Sequence, residues 1–329
     1  MRKAWIRQSL AASGAVRLVA RVRGAAVVIL MYHSVMDDPG RDADTLGDNI
    51  HSAEVFRRHM EILSHRYSPV SMDDVLQFVR GEKRLPAGAV AVTFDDGYAD
   101  NLEVAAPMLN RLGIPSTVYV TVDAVERAML PFPARLRHAF MRTRVGSWVD
   151  SSPRMWPLTR TGERGQALRA AQEHCARLAG ETQELFLVSV ERALDVEAPR
   201  TSLMMTWDQV RQFARQGHAV GSHTMTHPNI AHVEEADVER ELAESRRRLE
   251  EQLSSPVVHF AYPGPALTPI WSERSLAVCR GVGYETAVTT TYGVVRRGDH
   301  PLCLRRLGAR DDADGFRWDL ERVLLSRAR

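Results

Sequence analysis

Cysteine is scarce in this chain of 329 residues, which has only Cys175, Cys279 and Cys303. They lie far apart and form no C-x-x-C pair, so a cysteine zinc site has no support. An odd, sparse set also does not make a disulfide-dependent secreted scaffold. Long apolar runs are missing too: no uninterrupted stretch approaches the roughly 18 residues of a spanning helix. There are no internal repeats and no low-complexity segments. A convincing signal peptide is absent, because the apolar run from Ala25 to Tyr32 is short, follows Arg23 and lacks a suitably placed small-residue cleavage site. The expectation is a cytoplasmic protein. Charge of one sign is not in excess either, at a net +2, but its placement is uneven. Residues 1–24 hold Arg2, Lys3, Arg7, Arg17, Arg21 and Arg23 and no acid, so this tail carries +6 and the rest of the chain −4. An acidic body argues against nucleic acid as a partner. The tail reads either as a peripheral contact with the inner, anionic face of a membrane or as a solvated segment.

What is present is a regular alternation of elements. Residues 25–35, AAVVILMYHSV, form a buried strand with a polar tip, and Ser52 caps a helix with an apolar side at Val55, Phe56, Met60, Ile62 and Leu63. A helix at 72–80 ends at Gly81. The strand AVAVTF (89–94), a helix over 99–112 closed by Gly113 and the strand IPSTVYVTV follow. The order β, α, β favours a mainly parallel sheet. Residues 126–200, rich in Arg, Ala and Leu and broken by Pro131, Pro133, Pro153 and Pro157, interrupt the rhythm as a helical insertion. It resumes with a helix from Trp207, the strand HAVGSHT, a long helix over 233–253, the strand VVHFAYP, a helix Ser272–Arg280 and a strand Tyr284–Thr290. The expected organisation is a basic tail at 1–24 and an α/β domain at 25–329 that carries the insertion.

Two motifs carry chemistry. In Thr93-Phe94-Asp95-Asp96-Gly97 adjacent carboxylates stand where a buried strand ends, the end at which parallel α/β folds bind ligands. Gly97 permits a sharp turn that lets both face one site, although an acid pair at a helix N-terminus would read the same way. In Ser222-His223-Thr224-Met225-Thr226-His227-Pro228, histidines at i and i+4 can chelate one ion from a helical turn, although a surface loop with two histidines is the plainer explanation of that motif alone. Taken together, one carboxylate and two imidazoles form a three-ligand set for zinc or another divalent metal of that ligand class. The second carboxylate is then left as a base for water.

TFDDGYADN followed by GSHTMTHPNI resembles the polysaccharide deacetylase (NodB-homology) family of carbohydrate esterases, and the similarity continues through FAYPGP, AVTTTYG and LCLRRLG. The resemblance implies a distorted (β/α)7-type barrel, Asp95 as catalytic base, and Asp96, His223 and His227 as metal ligands. It departs from the commonest pattern twice. The third motif, usually Arg-x-Pro-Tyr-Gly, is here Ala261-Tyr262-Pro263-Gly264-Pro265, so the orienting arginine is missing and Gly264 stands at the tyrosine position with only a backbone N–H to offer an oxyanion. The C-terminal leucine-x-histidine motif is missing as well. Both absences resemble the exopolysaccharide and poly-N-acetylglucosamine deacetylase branch, in which the acid histidine comes from an N-terminal strand. His33 matches that position, and Arg306 matches an arginine carried by those relatives. The implied activity is metal-dependent removal of N-acetyl groups from an amino-sugar glycan or glycolipid. Two alternatives stay open: a sugar-binding protein of this fold without turnover, and a hydrolase of this fold acting on a non-glycan amide.

Overall fold

The computed structural model describes residues 26–199, 202–264 and 266–325. The basic segment 1–24, and the membrane contact expected of it, lie outside the described residues. Among them, no helix is long and apolar enough to cross a membrane.

Seven parallel strands close into a barrel: β1 (Ala26–Tyr32), β2 (Ala89–Phe94), β3 (Ser116–Val120), β4 (Ala219–Ser222), β5 (His259–Ala261), β6 (Thr286–Tyr292) and β7 (Leu304–Gly308). Each pairs with the next, and β7 returns to β1 through Leu30 opposite Leu307. The mainly parallel sheet expected from the alternation is present, closed as the (β/α)7-type barrel that the family resemblance implies. Helices α1 (Ala53–Arg66), α2 (Met72–Arg80), α3 (Ala106–Leu112), α4 (Val122–Arg127), α5 (Phe132–Arg142), α6 (Thr161–Cys175), α7 (Gly180–Ala193), α8 (Trp207–Arg215), α9 (Glu235–Leu253), α10 (Glu273–Val282) and α11 (Ala313–Leu325) complete it. Ser52 caps α1 by accepting from the Val55 N–H at 3.1 Å.

The period of two along each strand sorts side chains into two cores. Val28, Leu30 and Tyr32 of β1 face the surrounding helices, whereas Val27 and Ile29 face the barrel axis with Ala89, Ala91, Tyr119, Ala261 and Val288. Helix α2 plugs one end of the barrel with Met72, Val75, Phe78 and Val79. Strand β4 passes close to β3 because Gly221 has no side chain: a Cβ there would come 2.5 Å from the Tyr119 ring. The segment between β3 and β4 contains α5, α6, α7 and a short antiparallel ribbon, Ser147–Val149 with Met155–Pro157. It packs on its own apolar cluster, centred on Leu136, Phe140, Trp148, Leu168 and Leu187. A buried cation ties α5 to α7, where Arg135 donates to Glu184 at 2.7 Å and to Glu191 at 2.9 Å.

Candidate active site

Alternation along β2 sends Ala89, Ala91 and Thr93 inward, and Asp95, just past the strand, continues that row. Its backbone N–H donates to the Tyr32 carbonyl at 3.0 Å, keeping the end of β2 against β1. The next residue should point outward. Asp96 instead adopts φ +74° and Gly97 φ +89°, so the chain reverses and both carboxylates reach one cavity. Positive φ is uncommon outside glycine, and Asp is among the residues that tolerate it.

The histidine loop differs from the helical turn expected of it. His223 to His227 lie in an irregular loop after β4, in which Thr224 (φ +69°) and His227 (φ +63°) are both left-handed. Several contacts impose this shape. The His223 N–H donates to the Val120 carbonyl at 2.9 Å, and the His227 N–H donates to Thr224 Oγ1 at 2.9 Å. Glu241, buried on α9, accepts from the N–H groups of Met225 and Thr226 at 2.9 and 2.8 Å and from the Thr226 hydroxyl at 2.6 Å. Glu241 escaped the sequence reading, although its place one turn after Val238 and beside Leu242 puts a carboxylate on the buried face of that helix, a position a solvated charge avoids.

Asp96, His223 and His227 converge. Their ligand atoms lie within 4.8 Å of one another, with Asp96 Oδ1 3.6 Å from His223 Nε2 and 3.3 Å from His227 Nε2. His223 Nδ1–H donates to the Ala261 carbonyl at 2.8 Å, which fixes the tautomer and leaves Nε2 with its lone pair toward Asp96. Burial lowers His223 to about 4 against the pull of Asp95, so the ring is neutral at physiological pH. Asp96 Oδ1 is buried without a hydrogen-bond partner. A fully buried, orphaned carboxylate oxygen between two imidazole nitrogens fits a divalent cation, which would supply the interaction the oxygen lacks.

Asp95 stands beside this group and is held by Arg306. The Leu304–Leu307 alternation turns Arg306 into the barrel, where Nη1 and Nη2 each donate to an Asp95 oxygen at 2.7 Å, Nε donates to the Thr289 carbonyl at 2.9 Å, and Nη1 also reaches Thr93 Oγ1 at 3.3 Å. The guanidinium side chain has no solvent exposure. Burial alone would raise the Asp95 pKa, but the Arg306 charge, aided by His223, holds the carboxyl below the usual carboxylate range. The guanidinium absent from the 261–265 segment therefore reaches Asp95 from β7. At Gly264, a Cβ would lie 3.0 Å from Thr290 Cγ2, so the space beside this backbone is already taken by β6.

His33 follows β1, its carbonyl accepting from Asn101 Nδ2 at 2.7 Å. Its imidazole lines the cavity that also holds Asp95, Asp96, His223, His227 and Gly264. The cavity measures about 370 Å³, within the roughly 300–1,000 Å³ of small-molecule sites. His300 is elsewhere: it precedes β7, at the far end of the strand from Arg306, and pairs with Arg280 at 3.1 Å. Tyr262 is fully buried in the outer core and Trp271 packs against that core, so neither lines the cavity.

The polysaccharide deacetylase family model matches residues 82–287, well over half of the chain. The match contains Asp95, Asp96, His223, His227 and Gly264, whereas His33 and Arg306 lie outside it. A putative polysaccharide deacetylase, YxkH of Bacillus subtilis, is 19% identical over 285 residues, covering 86% of this chain and 71% of that protein. Among solved structures, Streptococcus pyogenes deacetylase PplD in complex with acetate superposes with a TM-score of 0.60 at 17% identity, covering 92% of this chain and 99% of that one. IcaB from Ammonifex degensii gives 0.59 at 18%, covering 91% and 98%. At such identities the structural likeness speaks to the fold, while the family match speaks to the chemistry. The chain belongs to the polysaccharide deacetylase family and is a deacetylase hydrolase.

Proposed function

We propose that this protein removes N-acetyl groups from an amino-sugar glycan or glycolipid, with Asp95 as base, His33 as acid and a divalent metal, zinc or one of its ligand class, held by Asp96, His223 and His227. The observation that carries this reading is the buried Asp95 carboxylate, clamped by Arg306 next to a three-residue set whose Asp96 oxygen has no partner of its own. When bound, such an ion supplies Lewis-acid polarisation of the acetyl carbonyl and lowers the pKa of water.

The chain's own residues do the rest. Asp95, kept ionised and fixed in rotation by Arg306, accepts a proton from the water whose oxygen adds to the acetyl carbonyl carbon. The Gly264 N–H, beside the same cavity, donates to the oxygen that gains negative charge. His33 gives a proton to the amide nitrogen as the C–N bond breaks, and acetate and a free amino sugar result. A histidine suits that step because its ordinary pKa lies near neutrality. Glu241 does not touch substrate; it holds the His223–His227 loop in its left-handed form.

The test is acetate release, followed by mass spectrometry, across N-acetylated oligosaccharides, glycolipids, peptidoglycan fragments and N-acetylated non-glycan amides with metal-loaded protein. Release from at least one glycan, abolished by Asp95→Asn, is expected. Release only from non-glycan amides would overturn the substrate class.

A further inference from the structure

The cavity has an outer wall that the catalytic set does not explain. It is built from Thr45–Asn49 on one side and from α5 and Gln172 of α6 on the other. The two sides are joined where Thr45 Oγ1 and His138 Nδ1 hydrogen-bond at 3.1 Å. In this wall stands Arg137. Among the described residues it forms no ion pair and no hydrogen bond, and its Nε is buried without a partner. Its neighbour on α5, Arg135, shows the usual fate of a buried arginine here, with its guanidinium divided between two glutamates. Asp48 lines the same cavity but does not approach Arg137 within ion-pair distance. The backbone makes room for the guanidinium: Gly47, at φ +65°, passes so close that a Cβ would come 2.9 Å from Arg137 Nε.

Resting on the deacetylase reading of this cavity, we propose that Arg137 is an anion-recognition residue, and that the preferred substrate is an N-acetylated amino sugar carrying a carboxylate or phosphate near the scissile amide. An orphaned guanidinium nitrogen is costly to bury, and the planar fork is matched by the paired oxygens of those two groups. The cavity floor does not repel an anion, because Arg306 neutralises Asp95 and the Asp96 set is built to receive a cation.

The experiment uses full-length, metal-loaded protein and three matched N-acetylglucosamine trisaccharides: neutral, bearing one carboxylate, and bearing one phosphate monoester. Calorimetric binding is measured on wild type, Arg137→Gln and Arg137→Lys, with acetate release in parallel. Wild type should prefer at least one anionic ligand over the neutral one, and the two anionic arms separate a carboxylated sugar from a phosphorylated one. Arg137→Gln should reduce the anionic-over-neutral ratio roughly 10- to 100-fold. Arg137→Lys, with charge but no fork, should fall in between. No anionic preference in wild type, or a ratio that survives Arg137→Gln, overturns the proposal even if acetate is released. If the preference depends on Arg137 but neither these trisaccharides nor any member of the wider glycan panel is deacetylated, the anion subsite stands and the glycan deacetylase reading fails.

Discussion

Replacing Arg306 by methionine probes the ion pair at the centre of the site. The guanidinium is fully buried and makes two 2.7 Å bonds to Asp95 and one to the Thr289 carbonyl. Methionine fills much of the volume but leaves the carboxylate desolvated and unpaired, a change that costs about 3–5 kcal/mol in comparable buried pairs. At about 2.1 cal/mol/K per residue, unfolding entropy near 0.7 kcal/mol/K converts this to a Tm loss of roughly 4–7 °C. The pH dependence follows from sign. In the wild type the Asp95 pKa is depressed, so the pair stabilises the fold above the ordinary carboxylate range and that contribution is lost as pH falls through the lower folded pKa. Without Arg306, burial, the largest influence on Asp95, raises its pKa above the unfolded value. The variant's deficit should therefore be greatest at neutral pH and shrink below about pH 4. The acid limb of its kcat/KM profile should move to higher pH. Thermal melts between pH 3.5 and 8, with the Arg306→Met/Asp95→Asn double variant, decide the matter. The double variant should recover part of the lost Tm because position 95 no longer holds a buried charge without its counter-ion. If Arg306→Met melts like the wild type at pH 7, or below the double variant by nothing measurable, the buried pair does not carry the energy assigned to it.

Purified protein should hold about one divalent ion per chain by elemental analysis, and the His223→Ala/His227→Ala double variant should hold none; retained metal in that variant would remove the ligand assignment. Glu241→Gln should weaken metal affinity roughly 10–100-fold in a chelator competition, because the loop that presents both histidines loses its buried anion; unchanged affinity would reduce Glu241 to a packing role. His33→Gln should fold and keep its metal yet lose about 10²-fold or more in kcat on an N-acetyl glycan, and less on an activated ester whose leaving group needs little protonation. A near wild-type rate on the glycan would move the acid elsewhere.

The elements of the barrel were legible because its strands are buried on both faces and read as short apolar runs separated by capped helices, whereas closure into a barrel came from the family resemblance. AVVILMY and AVAVTF are of this kind, and Ser52, Gly81 and Gly113 mark helix ends where the structure has them. Alternation also accounts for the inward direction of Asp95 and Arg306, since each follows an inward alanine or leucine by an even number of residues. Elsewhere the backbone breaks those rules. Asp96 should face the helices; the sharp turn expected at Gly97 does bring it to the cavity, with a positive φ at Asp96 itself that no pattern announces. His223 and His227 have helical spacing, but their convergence comes from a loop with two left-handed residues, one of them the β-branched Thr224. No local pattern announces such a loop, because the group that stabilises it, Glu241, sits on another element. The outer wall was hidden for the same reason. Arg137 looks like one of many arginines in a charged insertion, and nothing in its neighbourhood along the chain distinguishes it from Arg135. The difference is made across space: Arg135 meets two glutamates of α7, whereas Arg137 meets a glycine backbone and the open cavity. Periodicity reports which way a side chain leaves its own element, and is silent about what waits for it there.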